Sequence, residues 1–426
     1  MKVLVIGGGI AGLSTALSLH AAGIEVCVYE SVAHIKALGL GINLQPNAVR
    51  ELVELGLGQQ LADTAIETST LRYYNKHGQL IWSEPRGLAA GYAWPQYSIH
   101  RGELSTILLE ATRNRIGTEN VRTGYHLVSF EQDETEVSAH FVDRTSGQPL
   151  DSQRGDILIG ADGIHSAVRR QFYPNEGLPV SSGRIQWRGA IEAEPFLDGR
   201  TQVMIGHREQ RAVIYPMSRR TAQGGRSLIN WLTILGNQSN VMERESWDRK
   251  VPKERFFEPF KDWNFSWIKL ADLISGTKEI FEYPKSDRDP LPRWSFGRVT
   301  LVGDAAHPMR PIGSQAGSQA IVDARVVAQA LAALKSPEKA LAAYEAERRP
   351  VMNALILKNR EFGPEIVMQM AEERAPDGFD DIEDIIPRRE LEDIARSFKV
   401  AARFDPKTVN TRPSYSVKRN ALASNR

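Results

Sequence analysis

Cysteine is almost missing from this sequence: Cys27 is the one cysteine in 426 residues. A disulfide within the chain is excluded, and Cys27, between Val26 and Val28, reads as a buried strand residue. An excess of one charge sign is missing too. The chain has 53 basic and 52 acidic residues, a net charge of +1, which gives no electrostatic ground for nucleic acid or an anionic membrane as partner. No run of about 18 apolar residues occurs, so no membrane span is expected. H-E-x-x-H and C-x-x-C are absent and the histidines show no ligand spacing, so no metal is expected. Internal repeats and low-complexity tracts are absent. Lys2 and the apolar residues after it have the outline of a signal peptide, but the glycines that follow fit another unit better. A cytoplasmic location is the default expectation. The composition, 42% hydrophobic and 25% charged, is that of a globular protein of two or three domains.

What is present begins at once. Lys2-Val3-Leu4-Val5-Ile6 is a short apolar run, followed by Gly7-Gly8-Gly9-Ile10-Ala11-Gly12. Leu13, Ala16 and Leu17 then repeat at helical spacing, and a second apolar run from Ile24 to Tyr29 ends on Glu30. Strand, glycine turn, helix, strand and acid make a dinucleotide-binding unit with Gly7, Gly9 and Gly12 as its G-x-G-x-x-G. Gly7 allows the tight turn, Gly9 lets a pyrophosphate reach the backbone, and Gly12 lets the helix pack close. The helix N-terminus offers N–H groups to the pyrophosphate, and Glu30 would accept from ribose hydroxyls.

Two later stretches have a similar texture. Asp156-Ile157-Leu158-Ile159-Gly160 ends in Ala161-Asp162-Gly163, and Val299-Thr300-Leu301-Val302 ends in Gly303-Asp304. Each sets a glycine and a short acid after a strand, where open α/β sheets bind ligands. Asp304 suits a chain of hydroxyls, with an N-cap as its bland alternative. The helix after Pro311 would point its N-terminus at an electron-rich ring edge.

Between these stretches lie a glycine-rich loop at 37–44, a hairpin at 68–83 and a helix after Arg101. Residues 181–284 alternate apolar and polar, then become helical and rich in tryptophan (Trp247, Trp263, Trp267). Ser336 and Pro337 are an N-cap and N1 pair. After Phe404 the chain is polar and loose order is expected. The expected fold is α/β: a Rossmann-like domain from 1–70, 98–180 and 285–360, interrupted by a sheet-rich substrate domain from 71–97 and 181–284. Residues 361–426 form a C-terminal helical extension and tail.

Together these motifs resemble the single-component FAD-dependent aromatic monooxygenases, the family of para-hydroxybenzoate and salicylate hydroxylases. Its three fingerprints are here in order, joined by His100-Arg101-Gly102-Glu103-Leu104 and by Glu347-Arg348-Arg349-Pro350. Trp82 to Gly87, Tyr97 to Leu104, Trp187-Arg188-Gly189 and Ser286 to Pro292 are similar to the branch of that family that serves pyocyanin (phenazine) biosynthesis. The likeness covers roughly residues 1 to 360. It implies FAD as cofactor, NADH or NADPH as transient co-substrate, and molecular oxygen. The implied reaction is hydroxylation of a planar aromatic or heteroaromatic carboxylate through a flavin C4a-hydroperoxide, with or without decarboxylation.

The resemblance also implies roles for residues. Gly7, Gly9, Gly12, Glu30, Arg101, Asp162, Gly303, Asp304 and Gly313 would hold the cofactor. Tyr215, Arg188 and Pro311 are the catalytic candidates, and Trp187, Arg188, Tyr215 and Arg310 the substrate contacts. An arginine fork suits a carboxylate. Arg169 is open between a phosphate or nicotinamide contact and a helix-surface cation. His307 reads as structural, and Tyr73, Trp82 and Tyr97 as core or interface. One departure stands out: Gly313-Ser314-Gln315-Ala316-Gly317 replaces the family's G-Q-G, with serine and alanine where glycines are usual. This leaves open a non-catalytic flavin-binding protein, and an epoxidase on the same scaffold is the other alternative. The W-x-W-x-I-P stretch of flavin halogenases is absent. A monomer or homodimer is expected.

Overall fold

The computed structural model describes residues 1–35, 40–236 and 249–417. Ala37 to Gly39 of the glycine-rich loop, Trp247 and the last residues of the polar tail lie outside them. The apolar run at the start forms the middle of a five-stranded sheet. Its order is Val299–Leu301, Ile157–Gly160, Lys2–Ile6, Glu25–Glu30, Val121–Thr123, and every pairing is parallel. Both faces are covered, so the strands read as continuous apolar runs. Helices Ile10–Ala21 and Ala316–Ala333 lie against each other, and Tyr125–Gln132, Val137–Asp143 and Pro149–Gly155 form an antiparallel meander beside the sheet.

A second sheet has seven strands in the order Phe281–Asp287, Val180–Ala193, Ser227–Leu235, Gln210–Pro216, Thr201–Gly206, Thr70–Tyr74, Leu80–Pro85. The hairpin read at 68–83 supplies its far edge, turning at Gly78 (φ +80°). One face is closed by an aromatic cluster of Trp187, Trp231, Phe256, Phe260 and Trp263. A third, three-stranded sheet of Gly41–Leu44, Gln96–His100 and Ile66–Thr68 lies between the two main sheets' segments in sequence and carries Arg101 at its end.

The segment after Phe404 is more ordered than its polarity predicts. Asp405 caps the helix Pro406–Thr411 by accepting from the Thr408 amide at 3.0 Å. Arg412 then pairs with Glu51, and the Tyr415 hydroxyl donates to Glu347 at 2.9 Å. Ion pairs of polar residues, together with the buried Val409, hold this strap, which composition alone does not reveal. Among the described residues no helix is long and apolar enough to cross a membrane, and no group of three or more His, Cys, Asp or Glu could hold a metal.

Candidate active site

Three loops follow the C-terminal ends of three neighbouring strands, Val299–Leu301, Ile157–Gly160 and Lys2–Ile6, so the fold sets them side by side. Gly7 takes φ +110°, and a Cβ there would stand 2.5 Å from the Ala161 carbonyl oxygen. A Cβ on Gly12 would fall 1.9 Å from the Gly7 oxygen. Both glycines are therefore demanded by close approach. Gly9 is different: a Cβ there meets nothing within 4 Å, so the backbone faces open space. That is the cradle a pyrophosphate needs. Glu30 closes the turn, its carboxylate accepting from the Gly8 amide at 2.7 Å and the Val32 amide at 2.8 Å.

A cavity of about 370 Å³ runs from this cradle to the seven-stranded sheet. Gly9, Arg101, Arg188, Tyr215, Asp304 and Pro311 all border it. Arg101 opens the helix Arg101–Ile116, with its amide bonded to the Leu40 carbonyl at 2.8 Å. Burial pushes its pKa down, the Asp304 carboxylate opposes that, and the Arg188 charge adds to it. Asp304 sits in the turn Gly303–Ala305. Gly303 takes φ +58° and is wedged between Ala11 and Ala320, 2.8 and 3.2 Å from the place of its missing Cβ. Its amide donates to Asp323 at 3.0 Å. Pro308, Met309 and Pro311 make an apolar wall above the cavity.

The cavity face of the large sheet is two rows of side chains. One row is Arg188, Leu232, Val213 and Met204; the next is Tyr283, Gln186, Ile234 and Arg211. Tyr215 stands beyond the first row, opposite Asn230. Gly41 is pressed under it: a Cβ at Gly41 would lie 2.5 Å from Tyr215 Cε2. The Gly41 peptide is clamped from the sheet, its amide donating to Asn230 Oδ1 at 2.8 Å and its carbonyl accepting from Arg188 at 2.7 Å. Burial pushes the Tyr215 phenol up, against the neighbouring Arg188, so it stays a neutral donor at ordinary pH.

One sequence expectation, Trp187, is corrected, and three others are not found in the cavity lining. Trp187 does not contact the cavity. It is 1% exposed, donates to Glu282 at 2.8 Å and stacks on Phe256 with ring centroids 4.8 Å apart. Strand side chains alternate, so Trp187 must face the opposite way from Arg188. Arg310 is not among the lining residues; it pairs with Asp287 at 3.2 Å beside Arg360. Gly313 (φ +64°) is likewise outside the lining, its missing Cβ 2.5 Å from the Phe398 ring. Asp162 is not among the lining residues either: one oxygen accepts from the Ala167 amide at 2.7 Å, at the start of the helix Ala167–Phe172 that Ser166 caps. Its other oxygen is buried without a hydrogen-bond partner, and burial pushes its pKa up. Gly163 and Ile164 border the cavity instead.

Arg169 is 1% exposed and is therefore no helix-surface cation. It donates to the Ala305 and Ala306 carbonyls at 3.2 and 3.1 Å and pairs with Glu176, so it braces the Asp304 turn. His307 is fully buried against Asp323 at 2.5 Å. Ser314 takes φ +54°, a conformation that glycine adopts without strain, so the departed loop keeps a glycine-like path. Sequence reading missed Arg211, Lys285 and Glu365, all of which border the cavity. The signal was available for Arg211, which shares a face with Tyr215 by strand alternation. Glu365 arrives from the C-terminal extension, where no local signal marks it.

These residues fit FAD: an open glycine cradle, an acid-bearing turn and an arginine border one cavity, whose far side sets Leu232, Val213, Ile234 and Met204 among polar and charged side chains. Comparison with known proteins agrees. A family model described as "FAD binding domain" matches residues 1–358. The chain is 47% identical over 365 residues to the phenazine 1,6-dicarboxylic acid hydroxylase of Lysobacter antibioticus, covering 84% of this chain and 89% of that one. It is 33% identical over 415 residues to a 3-amino-4-hydroxybenzoate 2-monooxygenase of Streptomyces platensis, covering 95% and 94%. HpxO of Klebsiella pneumoniae, solved with FAD and uric acid, shares the fold with a TM-score of 0.74 at 24% identity, covering 96% and 97%. The chain belongs to the FAD-binding-domain family of flavoprotein aromatic monooxygenases, enzymes that use FAD, NAD(P)H and molecular oxygen.

Proposed function

We propose that this enzyme hydroxylates a planar heteroaromatic carboxylate of the phenazine type. The observation that carries this reading is the cavity that joins the Gly9–Asp304 cradle to a floor of Leu232, Val213, Ile234 and Met204, with Arg188 and Tyr215 at its edge. Bound FAD, reduced by NAD(P)H, supplies the activation of oxygen and the transfer of one atom to the ring. The chain supplies the rest. Gly9, Arg101 and Asp304 hold and orient the cofactor. The apolar floor and the Pro308–Pro311 wall take the two faces of a flat ring and keep water out. Arg188 grips a substrate carboxylate, braced by its bond to Gly41. Tyr215 remains protonated because it is buried, and donates to an oxygen or nitrogen at the ring edge. The relative from Lysobacter antibioticus is named for a phenazine acid, which supports the same class of substrate here.

The test is NADH and NADPH oxidation by the FAD-loaded enzyme, with phenazine-1-carboxylate, salicylate or no acid present. The phenazine acid should speed oxidation at least tenfold over the substrate-free rate, and its product should carry one added oxygen, or a hydroxyl in place of the carboxyl group. An oxidation rate indifferent to every aromatic acid would contradict the proposal.

A further inference from the structure

Arg188 is not the only cation in the cavity. Lys285 borders it as well, and is 4% exposed. It lies two residues beyond Tyr283 on the edge strand Phe281–Asp287, beside the point where the register with Val180–Ala193 shifts. Lysine is rarely this buried without a partner. Among the described residues Lys285 has no salt-bridge partner. Glu365, an acid that acts on it, is already paired with the buried Arg211. Arg184, a further neighbour, is paired with Glu209, and Arg310 with Asp287. Each of those three arginines therefore has its acid, and one ammonium is left over. Burial, with Arg211, pushes the Lys285 pKa well below that of a free lysine.

Lys285 and Arg188 cannot serve one carboxylate. Arg188 pairs with Phe281 across the sheet, and Lys285 is four residues further along that strand. With strands ~4.8 Å apart and ~3.3 Å per residue, the two Cα atoms are about 14 Å apart. The Arg188 head is held at Gly41 and Asn230, in the direction away from Lys285. Gln186, Leu232 and Ile234 lie on the floor between.

Resting on the hydroxylase reading above, we infer that Lys285 is a second anion anchor and that the preferred substrate is a flat aromatic di-acid, with one carboxylate on Arg188 and the other on Lys285. The second carboxylate supplies the negative charge that the cluster lacks. Its arrival favours the charged ammonium.

The experiment titrates the FAD-loaded enzyme at about pH 8 with phenazine-1,6-dicarboxylate and with phenazine-1-carboxylate. Binding is followed by flavin absorbance, and KM is measured for each acid. The wild type should favour the di-acid at least tenfold in Kd and KM. Lys285→Met should bring the ratio toward one, and Lys285→Arg should restore the preference in part. A wild-type ratio near one, or a ratio unchanged in Lys285→Met, overturns the second anchor and leaves the hydroxylase reading standing. Turnover of neither acid by the wild type overturns both. If Lys285→Met does not fold, the wild-type ratio and Lys285→Arg decide.

Discussion

At the scale of single residues, the site depends on which way each side chain faces. Trp187 and Arg188 are neighbours in sequence, yet one is in an aromatic core and the other borders the cavity. A paired substitution separates the two roles. Trp187→Phe gives up the bond to Glu282 and some packing, which should cost about 1–3 kcal/mol of stability while KM changes less than twofold. Arg188→Ala should do the reverse in emphasis, raising KM for the aromatic acid about tenfold or more through loss of a charge-assisted bond. Chemical denaturation and steady-state kinetics on both variants check this. A KM effect as large in Trp187→Phe would return that ring to the pocket. Gly7, Gly12 and Asp304 were readable in the sequence because their chemistry depends on local order: a turn, a close contact and a strand end. Trp187, Lys285 and Glu365 depend on sheet parity and on the meeting of distant segments, which local patterns do not carry.

At the scale of elements, the Asp304 turn is held from behind. Asp323 on the helix Ala316–Ala333 accepts from the Gly303 amide, from His307 and from Arg348 of the helix Pro337–Arg360. Burial alone would raise the pKa of its carboxyl, but His307 and Arg348 outweigh that and hold it at about 2. An unfolded aspartate titrates at about 3.9. The stabilisation is thus fully present above about pH 4 and is lost as pH falls through about 2. Asp323→Asn should cost about 3–5 kcal/mol at neutral pH, because it leaves buried partners unmatched, and should loosen FAD. Unfolding curves from pH 7 to pH 2 should show the gap between wild type and variant closing below pH 4. A gap independent of pH would mean that the ion pairs do not hold the turn. The C-terminal extension plays a similar supporting part: Phe398 fills the space beside Gly313, and Glu365 reaches the cavity. Past Phe404 its polar composition points to loose order, because ion pairs such as Arg412–Glu51 look in sequence like surface charge.

At the scale of the whole molecule, two sheets of different kinds divide the work. The parallel sheet aligns three strand ends and so gathers the residues that suit the cofactor. The seven-stranded sheet gives a flat apolar floor with cations at its edges. On the proposed reading, a flavin cradle on one side and a flat, cation-edged pocket on the other bring an aromatic acid to activated oxygen. The α/β class and the cofactor were legible in the first thirty residues and two later strand ends. The floor was not, because its rows are assembled from five strands and only the pairing register reveals them.

The measurement that tests this most directly is turnover under ¹⁸O₂ in ordinary water, with NAD(P)H and phenazine-1-carboxylate, and the product read by mass spectrometry. The account predicts one ¹⁸O atom in the hydroxylated ring. A product whose new oxygen comes from water, or NAD(P)H consumed with the acid returned unchanged, would contradict it.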